Sequence, residues 1–406
     1  MIIGIIGKAN VGKSTFFNAA TELAVPAANY PFTTVEPNVG VAYARVKCVC
    51  REFGVQDNPV HSVCIDGNRF IPVRLVDVAG LVPGAHAGKG LGNKFLDDAR
   101  QADALIHVVD ASGSTDSAGK SVPAGTGDPM FDIQFVEEEF DLWMSAMLSR
   151  DWSKMAREAE NQGQKLEQML AKRFSGLAIP EHLISSTVHE SGLGLKKPTQ
   201  WTDDEIMRFC HMLRVKSKPF LVAANKADLP TSDGNIEKMK KAGGLAAAGV
   251  VVVPCASEAE NMLKKASKKG MLHYLPGDNS FDVKPNVALN DAQKKALDIV
   301  KALIEKYSST GVQEAINTAC FKLLHLVAVY PVEDELKLAD KKGNVLPDVR
   351  LLPEGSTAKD LAGTVHADLA KGFLYAIDAR TKQRIGADHK LRNGDVIKIV
   401  SAASRG

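Results

Sequence analysis

The sequence contains no hydrophobic run as long as the roughly 20 residues that cross a lipid bilayer. It carries little net charge, +2 from 50 basic and 48 acidic side chains, so any basic surface must be local. Six cysteines in 406 residues do not resemble a secreted disulfide scaffold. These absences argue against an integral membrane protein and a disulfide-rich secreted domain. They favour a cytoplasmic globular protein of about two or three domains.

The first residues combine a buried strand with a phosphate-binding loop. Residues 2–6 are apolar and predict a parallel strand, and the segment from Gly7 to Ser14 matches G-x-x-x-x-G-K-[ST]. Lys13 can reach the β- and γ-phosphates of a nucleotide, and the Ser14 hydroxyl can ligate Mg²⁺. Because the loop begins so early, we expect no signal peptide. Nucleotide contacts are expected from Gly7, Lys8, Ala9, Asn10, Val11, Gly12, Lys13, Ser14 and Thr15.

Two elements of a nucleotide switch follow. A proline-bearing loop carries Thr33 and Thr34, either of which could place a second hydroxyl on Mg²⁺. A later strand ends in the D-x-x-G pattern of Asp77 and Gly80, in which the Asp holds Mg²⁺ through water and the Gly N–H faces the γ-phosphate. The glycine-rich segment after it includes His86, a candidate to assist hydrolysis.

A second nucleotide motif lies far along the chain. A predicted buried strand from Phe220 ends in N-K-x-D, formed by Asn225, Lys226 and Asp228. The Asp carboxylate can accept from the N1–H and exocyclic amine of guanine, which adenine cannot supply. After the next strand, a backbone N–H near Ala256 and Ser257 could contact the guanine O6. The order of motifs predicts an α/β P-loop GTPase fold, a mostly parallel sheet with helices on both faces.

An irregular stretch between two predicted strands contains three cysteines and a histidine. Cys48, Cys50, His61 and Cys64 could build a tetrahedral nitrogen and sulfur site for Zn²⁺. Their spacing is not a standard one. The alternative is a hairpin that carries reduced thiols.

The remaining pattern predicts three further regions. Helical periodicity predicts a helical domain at 123–215, inserted into a GTPase domain that spans 1–122 and 216–280. Two helices connect this domain, over 281–324, to a C-terminal strand–helix–strand domain at 325–406. Its basic side chains could track a phosphate backbone, or form a solvated surface balanced by nearby aspartates. These basic residues are Arg380, Lys382, Arg384, Lys390, Arg392 and Lys398.

In combination the motifs resemble the Obg-like GTPases, in their YchF-related branch. The archaeal and fungal subgroup, which has a cysteine-bearing insert before D-x-x-G, is the most similar. The resemblance covers nearly the whole chain, and the tail from PEGSTAKDLAG onward resembles a TGS domain, a ubiquitin-like β-grasp module. The segments that carry the GTPase resemblance are GKANVGKST, NYPFTTVEPNVG, DVAGLVPGAHAGKGLG and NKAD.

The resemblance implies a GTP-gated factor associated with ribosomes or translation. Its TGS domain would contact RNA or protein, and no DNA sequence specificity is expected. Many YchF relatives lack a proper N-K-x-D and prefer ATP, so Asn225 and Asp228 argue for GTP here. By analogy with the Obg pattern, Thr34 rather than Thr33 is the Mg²⁺ ligand. Where the subgroup often has a fourth cysteine, this chain offers His61 or no fourth ligand.

The motifs lack the glutamine that assists hydrolysis in Ras-like GTPases. Leu81 stands where Ras-like GTPases have the Gln that orients water. In relatives with G-x-x-N-x-G-K-S the Asn coordinates K⁺ beside the phosphates, a role that would fall to Asn10, with His86 as a second candidate. We expect slow hydrolysis of GTP to GDP and phosphate. The alternative is an RNA- or ribosome-binding scaffold with structural nucleotide and negligible turnover.

Overall fold

The structure is a computed structural model. It describes residues 1–21, 38–78, 84, 101–163, 165–177, 179–242 and 249–402. Several residues of the predicted switch segments lie outside these ranges, namely Thr33, Thr34, Gly80, Leu81 and His86.

The described residues divide into two compact units. Unit 1 takes residues 1–21, 38–40 and the described part of 74–315, and unit 2 takes 41–73 and 316–402. Among the described residues, the chain crosses from one unit to the other after residues 40, 73 and 315, the first two within strands and the third within a helix. Each unit is described separately below.

The strands are named in chain order. They are β1 (Ile2–Ile6), β2 (Val39–Lys47), β3 (Val63–Ile65), β4 (Asn68–Asp77), β5 (Ala104–Asp110), β6 (Phe220–Asn225), β7 (Val252–Pro254), β8 (Leu272–His273), β9 (Asp282–Val283), β10 (Leu326–Val332), β11 (Arg350–Pro353), β12 (Phe373–Asp378), β13 (Arg384–Ile385) and β14 (Val396–Ser401).

The helices are named in the same way. They are α1 (Lys13–Thr21), α2 (Cys50–Phe53), α3 (Pro129–Ser149), α4 (Trp152–Gln162), α5 (Leu166–Arg173), α6 (Glu181–Glu190), α7 (Asp203–Ser217), α8 (Ser232–Lys241), α9 (Ser257–Lys268), α10 (Asp291–Tyr307), α11 (Val312–Asn317), α12 (Ala358–Val365) and α13 (Ala367–Lys371). A π-helical segment, Thr318–Leu323, continues α11.

A parallel sheet is the centre of unit 1. Strand β1 pairs with the end of β4 on one side and with β5 on the other, with Gly4 opposite Val76 and Leu105. Strand β5 pairs with β6, and β6 with β7, also in parallel. All seven residues of β5 are buried, as expected for a strand covered on both faces. The predicted P-loop GTPase fold is confirmed, and the carboxyl ends of its parallel strands share one edge.

Helices α3 to α7 form the predicted helical region between β5 and β6. Their apolar faces pack into one core, which includes Phe140, Met144 and Phe209, each no more than 2% exposed. The rings of Trp152 and Trp201 lie 4.8 Å apart within it. Helix α7 begins with a capping box between Thr202 and Glu205. This helical core also packs on the sheet of unit 1 through residues such as Ile6 and Leu105.

Unit 2 contains a small mixed sheet with a helix packed on it. The strand order is β11-β10-β14-β12-β13, and only the central β10–β14 pair is parallel. Helix α12 starts at a capping box of Thr357 and Asp360 and buries Leu361 against Val329 and Ile397 of the sheet. This arrangement is the β-grasp fold predicted for the C-terminal domain.

The same unit also includes residues 41–73, which the sequence prediction placed in the GTPase domain. Hydrogen bonds explain the grouping, since Asn58 N donates to Val345 O over 3.0 Å and Val60 N to Pro347 O over 2.8 Å. The domain boundaries drawn from the sequence remain a prediction. Among the helices that the structure describes, none combines the length and hydrophobicity needed to cross a bilayer.

Gly311, in the segment between α10 and α11, packs closely against the end of β7. Its φ is +84°, and a Cβ atom there would lie 1.8 Å from the Pro254 carbonyl oxygen at the end of β7. We expect Gly311→Ala to lower the free energy of unfolding by about 2–4 kcal/mol, because backbone strain and overlap act together. Urea unfolding followed by tryptophan fluorescence measures this, since Trp143, Trp152 and Trp201 all lie in unit 1.

Gly270→Ala is the matched control in the same unit. Its φ is +72°, and the nearest atom to an added Cβ is the flexible Lys284 Nζ at 3.8 Å. Only the conformational strain remains there, about 1 kcal/mol. Equal losses in the two variants would contradict a steric role for Gly311.

Candidate nucleotide-binding site

The phosphate loop joins β1 to α1 in a conformation that needs glycine at both ends. Gly7 has a φ of +145°, and a Cβ there would lie 2.4 Å from Val108 O. At Gly12, with a φ of +94°, a Cβ would lie 2.3 Å from the side-chain nitrogen of Asn225. The absent side chains let the loop approach β5 and β6 closely. The predicted contact residues follow one another here: Gly7, Lys8, Ala9, Asn10, Val11 and Gly12 form the loop, and Lys13, Ser14 and Thr15 are the first residues of α1.

Lys13, Ser14 and Asp77 converge at the start of α1. Lys13 Nζ donates to Lys8 O over 2.8 Å, and Ser14 Oγ donates to Asp77 Oδ2 over 3.5 Å. Burial lowers the pKa of Lys13, partly offset by the Asp77 charge. Burial likewise raises the pKa of Asp77, against the effect of Lys13. These groups are an ammonium, a hydroxyl and a carboxylate at one helix N-terminus, an arrangement suited to phosphate and a hard cation.

One atom of this group supports the Mg²⁺ assignment. Asp77 Oδ1 is buried and has no hydrogen-bond partner among the described residues. A buried carboxylate oxygen without a donor is energetically costly, and a metal-bound water would supply one. Oxygen ligands are those that Mg²⁺ prefers, and Ser14 adds a hydroxyl beside it. The residues present therefore fit the ion.

The Asn225 side chain joins the N-K-x-D turn to the phosphate loop. Its Nδ2 donates to Val11 O over 3.0 Å, and its Oδ1 accepts from Ser257 N over 3.1 Å and from Ser257 Oγ over 2.9 Å. The residue is 3% exposed, so these bonds are shielded from water. The structure thus brings the N-K-x-D motif and the phosphate loop together.

Lys226 extends over the phosphate loop from the same turn. Its Nζ lies 3.3 Å from Asn10 O, 2.9 Å from Asp110 Oδ2 and 2.9 Å from Ser114 Oγ. Burial alone would raise the pKa of Asp110, but hydrogen bonds from Ser112 and Lys226 outweigh it and hold that pKa below its ordinary value. Asp110 ends β5, and sequence reasoning did not include it in the site. A carboxylate at a strand end, followed by Ser-x-Ser, was the available signal.

Asp228 lies at the end of the motif. Its side chain is half-buried and, within the described part of the chain, takes part in no hydrogen bond or ion pair. The two amides predicted to contact guanine O6 already donate within the protein, Ala256 N to Thr310 O over 2.9 Å and Ser257 N to Asn225 Oδ1 over 3.1 Å, and the guanine contact stays a prediction. Helix geometry leaves the next amides of α9, at Glu258 and Ala259, without an intrahelical acceptor. These two amides were not among the predicted contacts.

The segment after β5 packs against the phosphate loop, which the sequence did not predict. Asn10 Nδ2 donates to Gly119 O over 2.8 Å, and a Cβ on Gly119 would lie 2.9 Å from Ala9. Backbone hydrogen bonds stabilise the segment itself, including Gly127 N to Gly113 O over 2.8 Å. Within the described part of the chain, no hydrogen bond involves the side-chain oxygen of Asn10.

A buried ion pair anchors the same segment. Lys8 Nζ lies 2.7 Å from Asp132 Oδ1 near the start of α3 and donates to Asp116 O over 2.7 Å. Both side chains are no more than 5% exposed. Burial raises the pKa of Asp132 to about 6, although the Lys8 ammonium acts in the opposite direction. Lys8 therefore fixes the loop to the fold, and its ammonium is already engaged within the protein.

The cysteine stretch forms a separate cluster in unit 2, and its membership corrects the prediction. Cys48, Cys50, Asp57 and Cys64 bring their ligand atoms within 4.8 Å of one another. His61 is not part of this group; it is exposed and lines a different cavity of about 840 Å³. A hydrogen bond with Cys64 and the charge of Arg69 lower the pKa of Cys48 to about 6, against the effect of burial.

The reason for the correction lies in the local turn. Residues 58–60 hydrogen-bond along 345–347 within unit 2, and His61 follows them away from the thiols. Asp57 instead lies beside Arg69, whose Nη2 donates to Asp57 Oδ2 over 2.8 Å. The spacing of the cysteines did not indicate Asp57 as a member of the group. Its position depends on Arg69, which lies on β4, outside the cysteine-bearing stretch.

Comparison with known proteins accounts for nearly the whole chain. Sequence models described as "50S ribosome-binding GTPase", "Obg-like GTPase YGR210-like, G4 motif-containing domain" and "TGS domain" match residues 2–128, 223–334 and 341–401. An uncharacterized GTP-binding protein of Methanocaldococcus jannaschii is 48% identical over 402 residues, 99% of each chain. A GTP-binding protein of Schizosaccharomyces pombe is 35% identical over 376 residues, 90% of each.

A solved structure agrees with these sequence relatives. The crystal structure of a GTP-binding protein from Pyrococcus horikoshii is 42% identical, has a TM-score of 0.78, and covers 99% of this chain and 100% of its own. Similarity of this extent spans the phosphate loop, the N-K-x-D turn and the β-grasp sheet alike. The chain therefore belongs to the Obg-like, YchF-related family of GTP-binding proteins, which has archaeal and fungal members.

Proposed function

We propose that this protein binds GTP with Mg²⁺, hydrolyses it slowly to GDP and phosphate, and uses the cycle to change its binding to a ribosomal or RNA partner. The observation that carries the proposal is the bridge made by Asn225. It joins the loop that would hold phosphates to the loop that would read guanine. The bridge supports the proposal, because it would keep the two halves of a nucleoside triphosphate site in a fixed arrangement.

At the phosphate end the chain supplies its own cation and oxygen ligands. Lys13 can exchange the Lys8 carbonyl for β- and γ-phosphate oxygens, since both are acceptors. Ser14 and Asp77 would hold Mg²⁺, which neutralises phosphate charge when bound. In hydrolysis a water oxygen bonds to the γ-phosphorus, the bond to the bridging oxygen breaks, and GDP leaves with that oxygen. Thr34 remains a predicted Mg²⁺ ligand, and the Gly80 N–H remains a predicted contact of the γ-phosphate.

At the base end, selectivity depends on Asp228. A carboxylate without a partner among the described residues can accept both the N1–H and the exocyclic amine of guanine. Adenine has no donor at N1, so it would leave this half-buried charge unpaired.

We expect the protein to bind GTP about 30- to 1,000-fold more tightly than ATP, the equivalent of about 2–4 kcal/mol. Asp228→Asn should reverse part of this preference and favour xanthosine triphosphate, whose C2 carbonyl accepts from the new amide. Calorimetric titration of nucleotide-free protein with the three triphosphates measures it. Asp282→Asn, an exposed change on β9, is the control and should keep the original order. Equally tight ATP and GTP binding would refute guanine selectivity.

Acceleration of hydrolysis needs a further positive charge, because Leu81 cannot orient water. We propose that Asn10 supplies it indirectly, with its side-chain oxygen as a ligand of K⁺. The bond from Asn10 Nδ2 to Gly119 O fixes which end of the amide is free. His86 remains a second, less specific prediction.

We expect phosphate release to be several-fold faster in KCl than in NaCl at the same concentration. A bound K⁺ would stabilise the negative charge of the transition state, and electrostatic stabilisation of this kind changes rates by at least several-fold. Asn10→Ala should remove the difference while GTP still binds. Asn18→Ala, an exposed amide on α1, should keep it. An Asn10→Ala enzyme that still distinguishes the two salts would exclude Asn10 from the mechanism.

The ribosomal or RNA partner is supported by the matched "50S ribosome-binding GTPase" and TGS descriptions. The basic tail is only partly available for a phosphate backbone. Arg380 pairs with Glu52 and Asp395, and Lys398 pairs with Glu335. Lys390 and Arg392 are exposed, and their side chains form no ion pair within the described ranges. These two are the best placed to meet phosphates.

We expect sedimentation with ribosomes to differ between GDP and a non-hydrolysable GTP analogue. Lys390→Ala with Arg392→Ala should weaken binding and reduce the slope of log K against log salt by about 2, one per phosphate contact. Lys371→Ala, an exposed lysine on α13, is the control. Equal sedimentation in both nucleotide states would favour the scaffold alternative over a switch.

A further inference from the structure

Unit 2 contains a closed group of three thiols and one carboxylate that the nucleotide chemistry does not use. Cys48 and Cys50 flank the start of α2, Asp57 follows that helix, and Cys64 lies in β3. The two first thiols are 4% and 5% exposed, and the other two members are partly buried. Three separate backbone segments thus bring four potential ligand atoms within 4.8 Å of one another.

The distances match a tetrahedral metal site. Zn–S bonds of about 2.3 Å place two sulfur ligands about 3.8 Å apart across a tetrahedron. Cys50 Sγ and Cys64 Sγ are 3.9 Å apart, and Cys48 Sγ lies 3.2 Å from Asp57 Oδ2. All four ligand atoms lie within 4.8 Å of one another. A disulfide between Cys50 and Cys64 is not formed at this separation.

The turn between β3 and β4 helps to fix this geometry. Asp66 and Gly67 both have positive φ values, 50° and 74°, as a tight hairpin requires. Gly67 O accepts from Cys48 N over 2.8 Å, which ties the first thiol to the hairpin that carries the last one. The backbone therefore holds the ligands in place independently of a metal.

A buried arginine next to the four ligand residues favours negative charge on them. Arg69 is 0% exposed, and its guanidinium donates to Asp57 Oδ2 and Leu346 O and lies over the Tyr330 ring. A fully buried cation is costly unless negative charge compensates it, and among the described residues the carboxylate paired with Arg69 is Asp57. The buried Tyr330 hydroxyl has no hydrogen-bond partner among the described residues. A thiolate–metal centre would supply an anionic neighbour for both.

We propose that Cys48, Cys50, Asp57 and Cys64 bind one structural Zn²⁺. Three soft thiolates and one carboxylate at tetrahedral separation select zinc among common divalent ions. Four protein ligands leave no open position, so the ion supports the fold and carries out no reaction. Arg69 orients the carboxylate ligand from outside, and through Leu346 O and Tyr330 it connects the centre to the β-grasp part of unit 2.

The first measurement is elemental analysis of the full-length chain purified without added metal or chelator. We expect about one zinc per chain, with three fewer reactive thiols in the metal-bound protein than after chelation. Removal of zinc should lower the unfolding temperature of unit 2, because the ion binds the folded site only. Cobalt in place of zinc should give the sulfur-to-metal charge-transfer bands of a thiolate site.

Variants decide the ligand set. Cys50→Ser and Asp57→Ala should lose zinc, whereas Asp57→Cys should keep it, since a fourth thiolate is also a good ligand. His61→Ala tests the residue at the cavity of about 840 Å³ and should keep the full equivalent. Cys210→Ala removes a buried thiol from the helical core of unit 1 and should also keep it.

Three outcomes would overturn the proposal. One is a wild-type chain that takes up less than a tenth of an equivalent of zinc even after incubation with excess ion. Another is loss of zinc in His61→Ala with retention in Asp57→Ala. The third is a Cys50–Cys64 disulfide found by mass spectrometry in freshly purified protein. The exposed His61 position keeps the test valid even if the buried variants fail to fold.

Discussion

The nucleotide site depends on one buried amide, that of Asn225. Its nitrogen donates to the phosphate loop, and its oxygen accepts twice from the start of α9. The segments that follow β1, β6 and β7 are therefore linked by one side chain. The glycine at position 12 makes this approach sterically possible, since a Cβ there would overlap the amide. Loss of the amide would leave buried donors and acceptors unpaired, at a cost of about 1–3 kcal/mol for each group. The phosphate loop, the N-K-x-D turn and the start of α9 are therefore held together by one side chain.

Two ion pairs, one buried and one partly exposed, contact the phosphate loop around this amide. Lys226 bonds to Asp110 at the end of β5, and Lys8 bonds to Asp132 at the start of α3. In both pairs one partner belongs to a nucleotide motif and the other to a segment with no motif of its own. Gly119 adds a backbone carbonyl that orients Asn10. The insertion after β5 thus preorganises the loop, and a preorganised loop loses less entropy when it binds phosphate.

In unit 2, the buried side chain that links distant segments is Arg69. The buried guanidinium contacts Ser62, Asp57 and Leu346, and a lone buried cation would be unfavourable without such partners. Its neighbours come from residues 41–73 and from the β-grasp sheet, which explains why these segments form one compact unit. The proposed zinc centre would complete the charge balance there.

The sequence by itself determined the parallel sheet, the inserted helices, the β-grasp tail and the nucleotide motifs, because each depends on local periodicity or on short motifs with fixed spacing. Only the tertiary structure decided which residues support those motifs. Asp110 and Asp132 are far from the phosphate loop along the chain. The Ser-x-Ser after Asp110 marks a strand end but does not identify Lys226 as its partner, and no local pattern pairs Asp132 with Lys8. Spacing suggested His61 as the fourth ligand, whereas chain folding brought Asp57 to the thiols through Arg69. Contacts between distant segments follow from packing and charge burial, which a linear pattern does not encode.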